Sequence, residues 1–323
     1  MTVAAVALAS FLLSAAGTRV VLAWLHHRQI LDHPNERSSH SLPTPRGGGL
    51  AVTPVVAAML ILTAYVAPGY PTVLAAGALI LMAVSWLDDR QGLAPLPRFL
   101  LQAAVITAYL IGIPSQDLVF QGLLPPWADR LVTGLGWLWF VNLYNFMDGI
   151  DGITGVETAA IGLGLALIGD HFVPQAVGIA AAGLGFLVWN WHPARIFLGD
   201  SGSIPLGFVL GGFLVDLAAG GHLAAALILP AYYVADASIT LLWRLRDGEK
   251  IWQAHRRHFY QRAVQGGKSH SQVSLAILAG NVGLIGCAWI AAGGHVAAGS
   301  VLAAAVVAAL LTLLTRWAGG EPA

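Results

Sequence analysis

Charge is what this chain has least of. Asp, Glu, Lys and Arg make up 10% of its 323 residues, against 57% hydrophobic. The surface of a soluble domain is usually about 25–35% charged, so a soluble globular fold is excluded. The few charges balance at zero net, which leaves no bulk electrostatic basis for a nucleic-acid partner. Cysteine is nearly absent. Cys287 stands alone inside an apolar run, which excludes an intramolecular disulfide and any cysteine-rich metal site. Basic residues are also missing ahead of the first apolar run, whose first charge is Arg19 near its far end, so that run is expected to be a retained helix and not a cleaved signal.

What fills the chain instead is apolar runs, at about 3–25, 50–67, 72–87, 98–113, 131–147, 153–169, 175–191, 204–220, 223–243, 273–292 and 296–315. With a mean hydropathy of +0.73, they predict an all-α polytopic membrane protein of about 10–11 transmembrane helices, folded as one domain over 1–323. Arg28, Arg37, Arg46, Arg90, Arg98, Arg195, Arg244, Arg246, Lys250, Arg256, Arg257, Arg262 and Lys268 all fall in alternate connections, and Arg130 is alone in the others. The positive-inside rule makes the basic connections cytoplasmic and the N-terminus external. Asp88, Asp89, Asp148, Asp151 and Asp200 lie on that cytoplasmic side too.

The densest chemistry is Asn142-Leu-Tyr-Asn145-Phe-Met-Asp148-Gly149-Ile-Asp151-Gly152. A three-residue step turns a helix by about 300°, so one straight helix cannot aim all four polar groups at one point. The Asn pair is expected on the last turns of a helix and the Asp pair in its Gly-broken exit. Interleaved amides and carboxylates supply oxygen ligands for a hard cation. The plain alternative is a polar helix end with a Gly cap.

Other connections add to this face. The first loop, from Asp32 to Gly49, offers Arg37, Arg46 and a triple glycine whose amides are expected to meet an anion; the plain reading is a solvated connector. Asp88-Asp89 closes a helix at the end where the dipole disfavours acids, so a cation or a phosphate partner is expected nearby. Asp200 lies between glycines, with Ser201 or Ser203 expected to cap the next helix. The segment 114–130 reads as an external interfacial loop without function, and Glu157 as a first-turn acid with no catalytic role. Asp216 and Asp236 are intramembrane acids of unassigned role. His255-Arg256-Arg257-His258 is expected to put both His on one helix face and to bind an anion, since zinc would need further soft ligands.

Five carboxylates converging from three loops would repel one another without a divalent cation, most plausibly Mg2+. Arg and His from the first and ninth loops would hold a polyphosphate, and the interfacial position would admit a nucleotide and a lipid head group together. That is the setting of phosphoryl transfer.

On these residues the chain resembles the polyprenyl-phosphate N-acetylhexosamine-1-phosphate transferases, the superfamily that includes the phospho-N-acetylmuramoyl-pentapeptide transferase. Matching stretches are Pro43-Thr44-Pro45-Arg46 with Gly48-Gly49, Asp88-Asp89, Asn142/Asn145/Asp148/Asp151, Pro193-Ala194 and Phe197-x-Gly199-Asp200-x-Gly202-Ser203. Pro230, Asp236, Arg244 and His255-x-x-His258 complete a likeness over about 30–265.

The resemblance implies transfer of a sugar-1-phosphate from a UDP-N-acetylhexosamine to undecaprenyl phosphate, with release of UMP, at the cytoplasmic face of a bacterial inner membrane. It implies Mg2+, with Mn2+ as a substitute, held by Asn145 and Asp200. Asp88 corresponds to the base that deprotonates the lipid phosphate, and Asp89, Asp148 and Asp151 to further essential acids. Arg46, Asn142, His255, Arg256, Arg257 and His258 are expected to contact substrate. A homodimer is left open.

Two departures bear on the donor. Arg257 stands where many relatives have a second His, and Arg90 follows the Asp pair where the peptidoglycan branch has a Lys-containing pattern. Both point away from a muramoyl-pentapeptide donor and toward a smaller UDP-N-acetyl sugar, as in enzymes that start O-antigen or other surface glycans. A transporter built around Asp216 and Asp236, a CDP-lipid enzyme lacking its full motif, and a non-catalytic relative are the alternatives.

Overall fold

The computed structural model describes residues 2–34, 39, 42–64, 71–112, 118–250 and 255–319. Backbone polar groups cannot be left open in hydrocarbon, and the chain meets that constraint with helices. In chain order these are α1 (Val3–His27), α2 (Gly49–Thr63), α3 (Pro71–Gln91), α4 (Pro95–Gly112), α5 (Pro126–Phe146), α6 (Ile153–Ile168) and α7 (Val173–Asn190). They continue with α8 (Asp200–Leu217), α9 (Leu223–Ile228), α10 (Ala231–Arg246), α11 (Phe259–Gln265), α12 (His270–Ala292) and α13 (Val296–Trp317). A two-residue antiparallel ribbon, β1 (Leu31–Asp32) with β2 (Thr44–Pro45), bridges α1 and α2.

Among the described residues, seven stretches are long and apolar enough to cross a bilayer: α1, α3, α4, α7, α8 running on into α9, α12 and α13. α2 and α6 are apolar but shorter. The protein is a multi-pass membrane protein. Side chains such as Leu12, Val20, Leu100, Ile111 and Val301 point outward from peripheral helices, as a lipid-facing surface requires. α8 is the opposite case. Ser201 to Val215 are buried without interruption, so it is the central post, with α2, α3, α5 and α6 packed around it.

Two elements differ from expectation. α5 begins at Pro126, about five residues early, because Pro suits a helix's first position and Asp129 in the first turn accepts from the amides of Val119 and Phe120. Of the segment 114–130 expected as a loop, residues 118–125 form turns and bends, and 114–117 lie outside the described residues. The ninth predicted helix is two. A wide π-type turn at 218–222 carries the chain from α8 into α9, and Pro230, which lacks an amide proton, breaks α9 from α10.

Candidate active site

One end of the bundle collects the polar ends of α2 to α8 and of α10 to α12. α5 stops at Phe146, so Asn142 and Asn145 ride its last turns while Asp148 and Asp151 occupy the exit, where Gly152 takes a left-handed φ of 81°. Gly149 serves a second purpose: a Cβ there would lie 2.2 Å from the Tyr260 hydroxyl, so only glycine lets α11 close over this turn.

At the centre four carboxylates, one of them Asp32 at the margin, meet two guanidiniums. Arg46 Nη2 lies 2.6 Å from Asp200 Oδ1 and 3.1 Å from Asp89 Oδ1, and its Nη1 lies 3.9 Å from Asp32. Arg98 Nη1 bonds Asp88 Oδ2 and lies 3.4 Å from Asp200 Oδ2. The carboxylates are held by backbone as well: Leu93 N–H donates to Asp88 Oδ1 at 2.6 Å and Ser201 N–H to Asp89 Oδ2 at 3.3 Å. These cations offset the unfavourable position of the Asp pair at the C-terminal end of α3. Burial alone would weaken the Arg46 charge, but Asp200, Asp89, Asp32 and Asp148 outweigh it and hold the guanidinium more firmly protonated than usual.

Asn145 Oδ1 accepts from the Ser203 hydroxyl at 2.6 Å, tying α5 to α8. Asp148 Oδ1 accepts from Thr154 at 2.6 Å. Burial pushes the Asp148 carboxyl up to about 6, against the lowering effects of Thr154 and Arg46. Asn142, one turn deeper, donates to Gln102 of α4 and to the Leu138 carbonyl, both at 2.8 Å.

Asp151 belongs to a neighbouring cluster. Its Oδ2 lies 2.6 Å from His192 Nδ1, 3.1 Å from the Ala194 amide and 3.2 Å from His270 Nδ1. Burial would raise this carboxyl, but His270, His192 and Ala194 together hold it below the usual range. Asp151, His192 and His270 bring their ligand atoms within 4.8 Å of one another, a spacing that suits a metal ion with nitrogen donors. His270 Nε2 also reaches the Ser39 carbonyl at 3.1 Å, so the cluster links four separate connections.

The 255–258 segment is not the helix expected. His258 is the N-cap of α11, whose helix starts only at Phe259, because Asp236 accepts the amides of Phe259 and Tyr260 and contacts His258 Nδ1 at 3.1 Å. The two His rings nonetheless lie against each other, tilted by 31° with centroids 4.7 Å apart. Burial, together with His258 and Arg244, pushes His255 down to about 3, so it is neutral near neutral pH. Its Nδ1 accepts the Arg257 amide, which leaves Nε2–H as the donor. Arg257 pairs with Asp247 at 2.6 Å and with Glu249 at 2.5 Å, and the Arg256 carbonyl accepts from Gln265.

The triple glycine does not offer amides to an anion. Gly47 and Gly48 N–H donate to the Phe197 carbonyl and Gly49 N–H to Leu198, all three buried. A Cβ on Gly49 would sit 2.1 Å from the Gly202 nitrogen. The glycines thus weld the start of α2 to the loop that carries Asp200. Arg37 lies outside the described residues. Nor does a serine cap α8: Gly199 is the N-cap, without a side-chain bond, and Ser203 turns to Asn145. Glu157 lies beyond the first turn of α6 and bonds Asn281 of α12 at 2.6 Å.

The donors around Asp200 are carboxylate and amide oxygens, and two guanidiniums already serve as cations between them, so the set fits a hard divalent cation. Sequence reading missed Arg98, Thr154, His192 and His270, and expected Ser203 only as a helix cap. Arg98 was legible only as a positive-inside charge, and Thr154, His192 and His270 carry no motif signal of their own.

Residues 71–218, which contain the Asp88, Asn145, Asp148 and Asp200 elements, match the model of glycosyl transferase family 4. The chain is 32% identical, over 295 aligned positions, to the decaprenyl-phosphate N-acetylglucosaminephosphotransferase of Mycolicibacterium smegmatis, covering 76% of this chain and 71% of that one. The chain belongs to glycosyl transferase family 4. A probable undecaprenyl-phosphate N-acetylglucosaminyl 1-phosphate transferase of Bacillus subtilis is 29% identical over 76% of this chain and 73% of its own. The phospho-N-acetylmuramoyl-pentapeptide-transferase of a Synechococcus species is 33% identical over 62% of each. The relatives thus include both N-acetylglucosamine phosphotransferases and a muramoyl-pentapeptide transferase.

Proposed function

We propose that this membrane protein transfers N-acetylglucosamine-1-phosphate, or a closely similar N-acetylhexosamine-1-phosphate, from a UDP-sugar to undecaprenyl phosphate, releasing UMP. The observation that carries the reading is the knot of Asp88, Asp89 and Asp200 with Arg46 and Arg98 at one end of an apolar bundle. Buried carboxylates of this number need a cation, and their place at a helix-end surface suits a lipid phosphate arriving from the bilayer and a nucleotide arriving from water. The relatives' names support the sugar and the prenyl acceptor.

Asp200 and Asn145 would hold Mg2+, with Mn2+ as its substitute. A divalent ion held by these two residues would supply charge neutralisation on the transferring phosphate. Asp88, held by the Leu93 amide and Arg98, would take the acceptor's proton. Arg46 and Arg98 offer guanidinium donors for phosphate oxygens once released from carboxylate. Neutral His255 presents an N–H donor, and His258 is held by Asp236 so that the loop keeps its shape. The basic connections support a cytoplasmic position for this face, with the N-terminus outside, in a bacterial inner membrane. The product would start a lipid-linked surface glycan such as O-antigen.

Incorporation of labelled UMP into UDP-N-acetylglucosamine, in the presence of Mg2+ and undecaprenyl phosphate, tests the reading. Exchange is expected, and it must stop in Asp200→Asn. A folded wild type that exchanges no UMP with any UDP-N-acetyl sugar would overturn it.

A further inference from the structure

We propose that Arg98 is a resident cation for the Asp88–Asp200 pair, and that its release from Asp200 couples capture of a divalent cation to capture of a phosphate group. This role rests on the divalent-cation reading of the site and assigns the coupling to one side chain. Both oxygens of Asp200 are covered by guanidinium: Oδ1 by Arg46 at 2.6 Å and Oδ2 by Arg98 at 3.4 Å. A metal ion on Asp200 would stand within a few ångströms of these guanidiniums, and like charges that close repel one another, so its binding favours release of the more weakly held guanidinium.

Arg98 is the partner built to yield. Its contact with Asp200 is long, while it bonds Asp88 directly and Asp88 is itself pinned by the Leu93 amide. Moving off Asp200 therefore leaves Arg98 anchored. Its Nε is buried and makes no hydrogen bond, so the guanidinium holds an unspent donor at the site. Arg46, by contrast, is spread over Asp32, Asp89 and Asp200. A metal that displaces Arg98 frees a fork of donors shaped for a phosphate. A phosphate that draws Arg98 away uncovers Asp200 for the metal. Linkage makes the two effects equal.

Binding of Mn2+, read from the free-ion electron paramagnetic resonance signal, tests this on the full detergent-solubilised chain. It is measured alone, with UDP, and with undecaprenyl phosphate, so that the source of the phosphate is identified. Wild type is expected to bind Mn2+ about tenfold tighter with at least one of the two compounds. Arg98→Gln is expected to bind Mn2+ alone at least about threefold tighter than wild type, with the coupling reduced below about twofold. Arg98→Lys keeps the charge without the fork, and should bind Mn2+ alone like wild type while losing most of the coupling. Wild-type binding without coupling, or coupling intact in both variants, would overturn the role of Arg98 alone. A wild type that binds no Mn2+ under any of these conditions would remove the divalent-cation reading as well. If Arg98→Gln does not elute as a monodisperse species, Arg98→Lys decides, and full coupling in it refutes the proposal.

Discussion

Gly49→Ala should disable the site although residue 49 bears no functional group. The added methyl would stand 2.1 Å from Gly202 N, 2.3 Å from Ser201 C and 2.4 Å from Gly202 Cα, all backbone atoms that no rotamer change can move. Nonbonded carbon contacts relax at about 3.5 Å, so the start of α2 and the Asp200 loop must part by roughly 1 Å or more. Arg46 lies three residues before Gly49 and Asp200 two before Gly202, so the 2.6 Å bond between them opens with that seam. A misplacement of about 1 Å costs on the order of 10²-fold in rate, or roughly 2.7 kcal/mol of transition-state stabilisation. The assay is kcat/KM for UMP release from UDP-N-acetylglucosamine. Gly136→Ala, on α5 with open space around it, is the control and should stay near wild type. A monodisperse Gly49→Ala protein within about threefold of wild type would refute this account of the seam.

Other substitutions address single groups. Thr154→Val removes the hydroxyl that stabilises ionised Asp148, so an acid limb of kcat/KM near pH 6 should move to higher pH; an unchanged or lowered limb would exclude Asp148 as its source. The same raised carboxyl favours the protonated folded state, so stability should fall as pH rises from the ordinary carboxyl range through about 6, and Asp148→Asn should flatten that slope in denaturant titrations. Asp236→Asn leaves one acceptor where two oxygens now serve Phe259, Tyr260 and Tyr232, at a cost of about 1–3 kcal/mol. It should raise KM for the UDP-sugar more than it lowers kcat, and an unchanged KM would show that the α11 cap does not shape the donor site. Asp200→Asn should lower turnover by about 10²–10³-fold or more and weaken Mn2+ binding, whereas wild-type turnover would remove Asp200 from the site.

The helical architecture was legible because hydrocarbon imposes long apolar runs, and the expected helices recur with shifted ends. α5 starts earlier than its apolar run because its opening residues include Asp129 and Arg130, whose polarity hides a helix that is fixed by bonds to Val119 and Phe120. The division of α9 from α10 was signalled by Pro230, which reads equally as a kink within one helix. At the site, the Asn/Asp stretch announced itself by spacing, and its split at Phe146 follows from the glycines beyond. The partners did not. Arg98 reaches Asp200 across 102 positions, and His270 reaches Asp151 across 119, and nothing local to either residue records such a contact. The triple glycine misled because an amide that meets a phosphate and one that meets a neighbouring carbonyl require the same residue. Asp216 and Asp236, which suggested a transporter, are bonded by Tyr109 and by the N-terminal amides of α11 respectively.

The most direct test of the central claim is UMP release by the purified protein supplied with Mg2+, undecaprenyl phosphate and a panel of UDP-N-acetyl sugars. Release that requires the lipid, stops with EDTA and favours UDP-N-acetylglucosamine is the predicted result. A folded, monodisperse protein that binds UDP-sugar yet releases no UMP from any donor would contradict it, and would make this chain a binding member of its family.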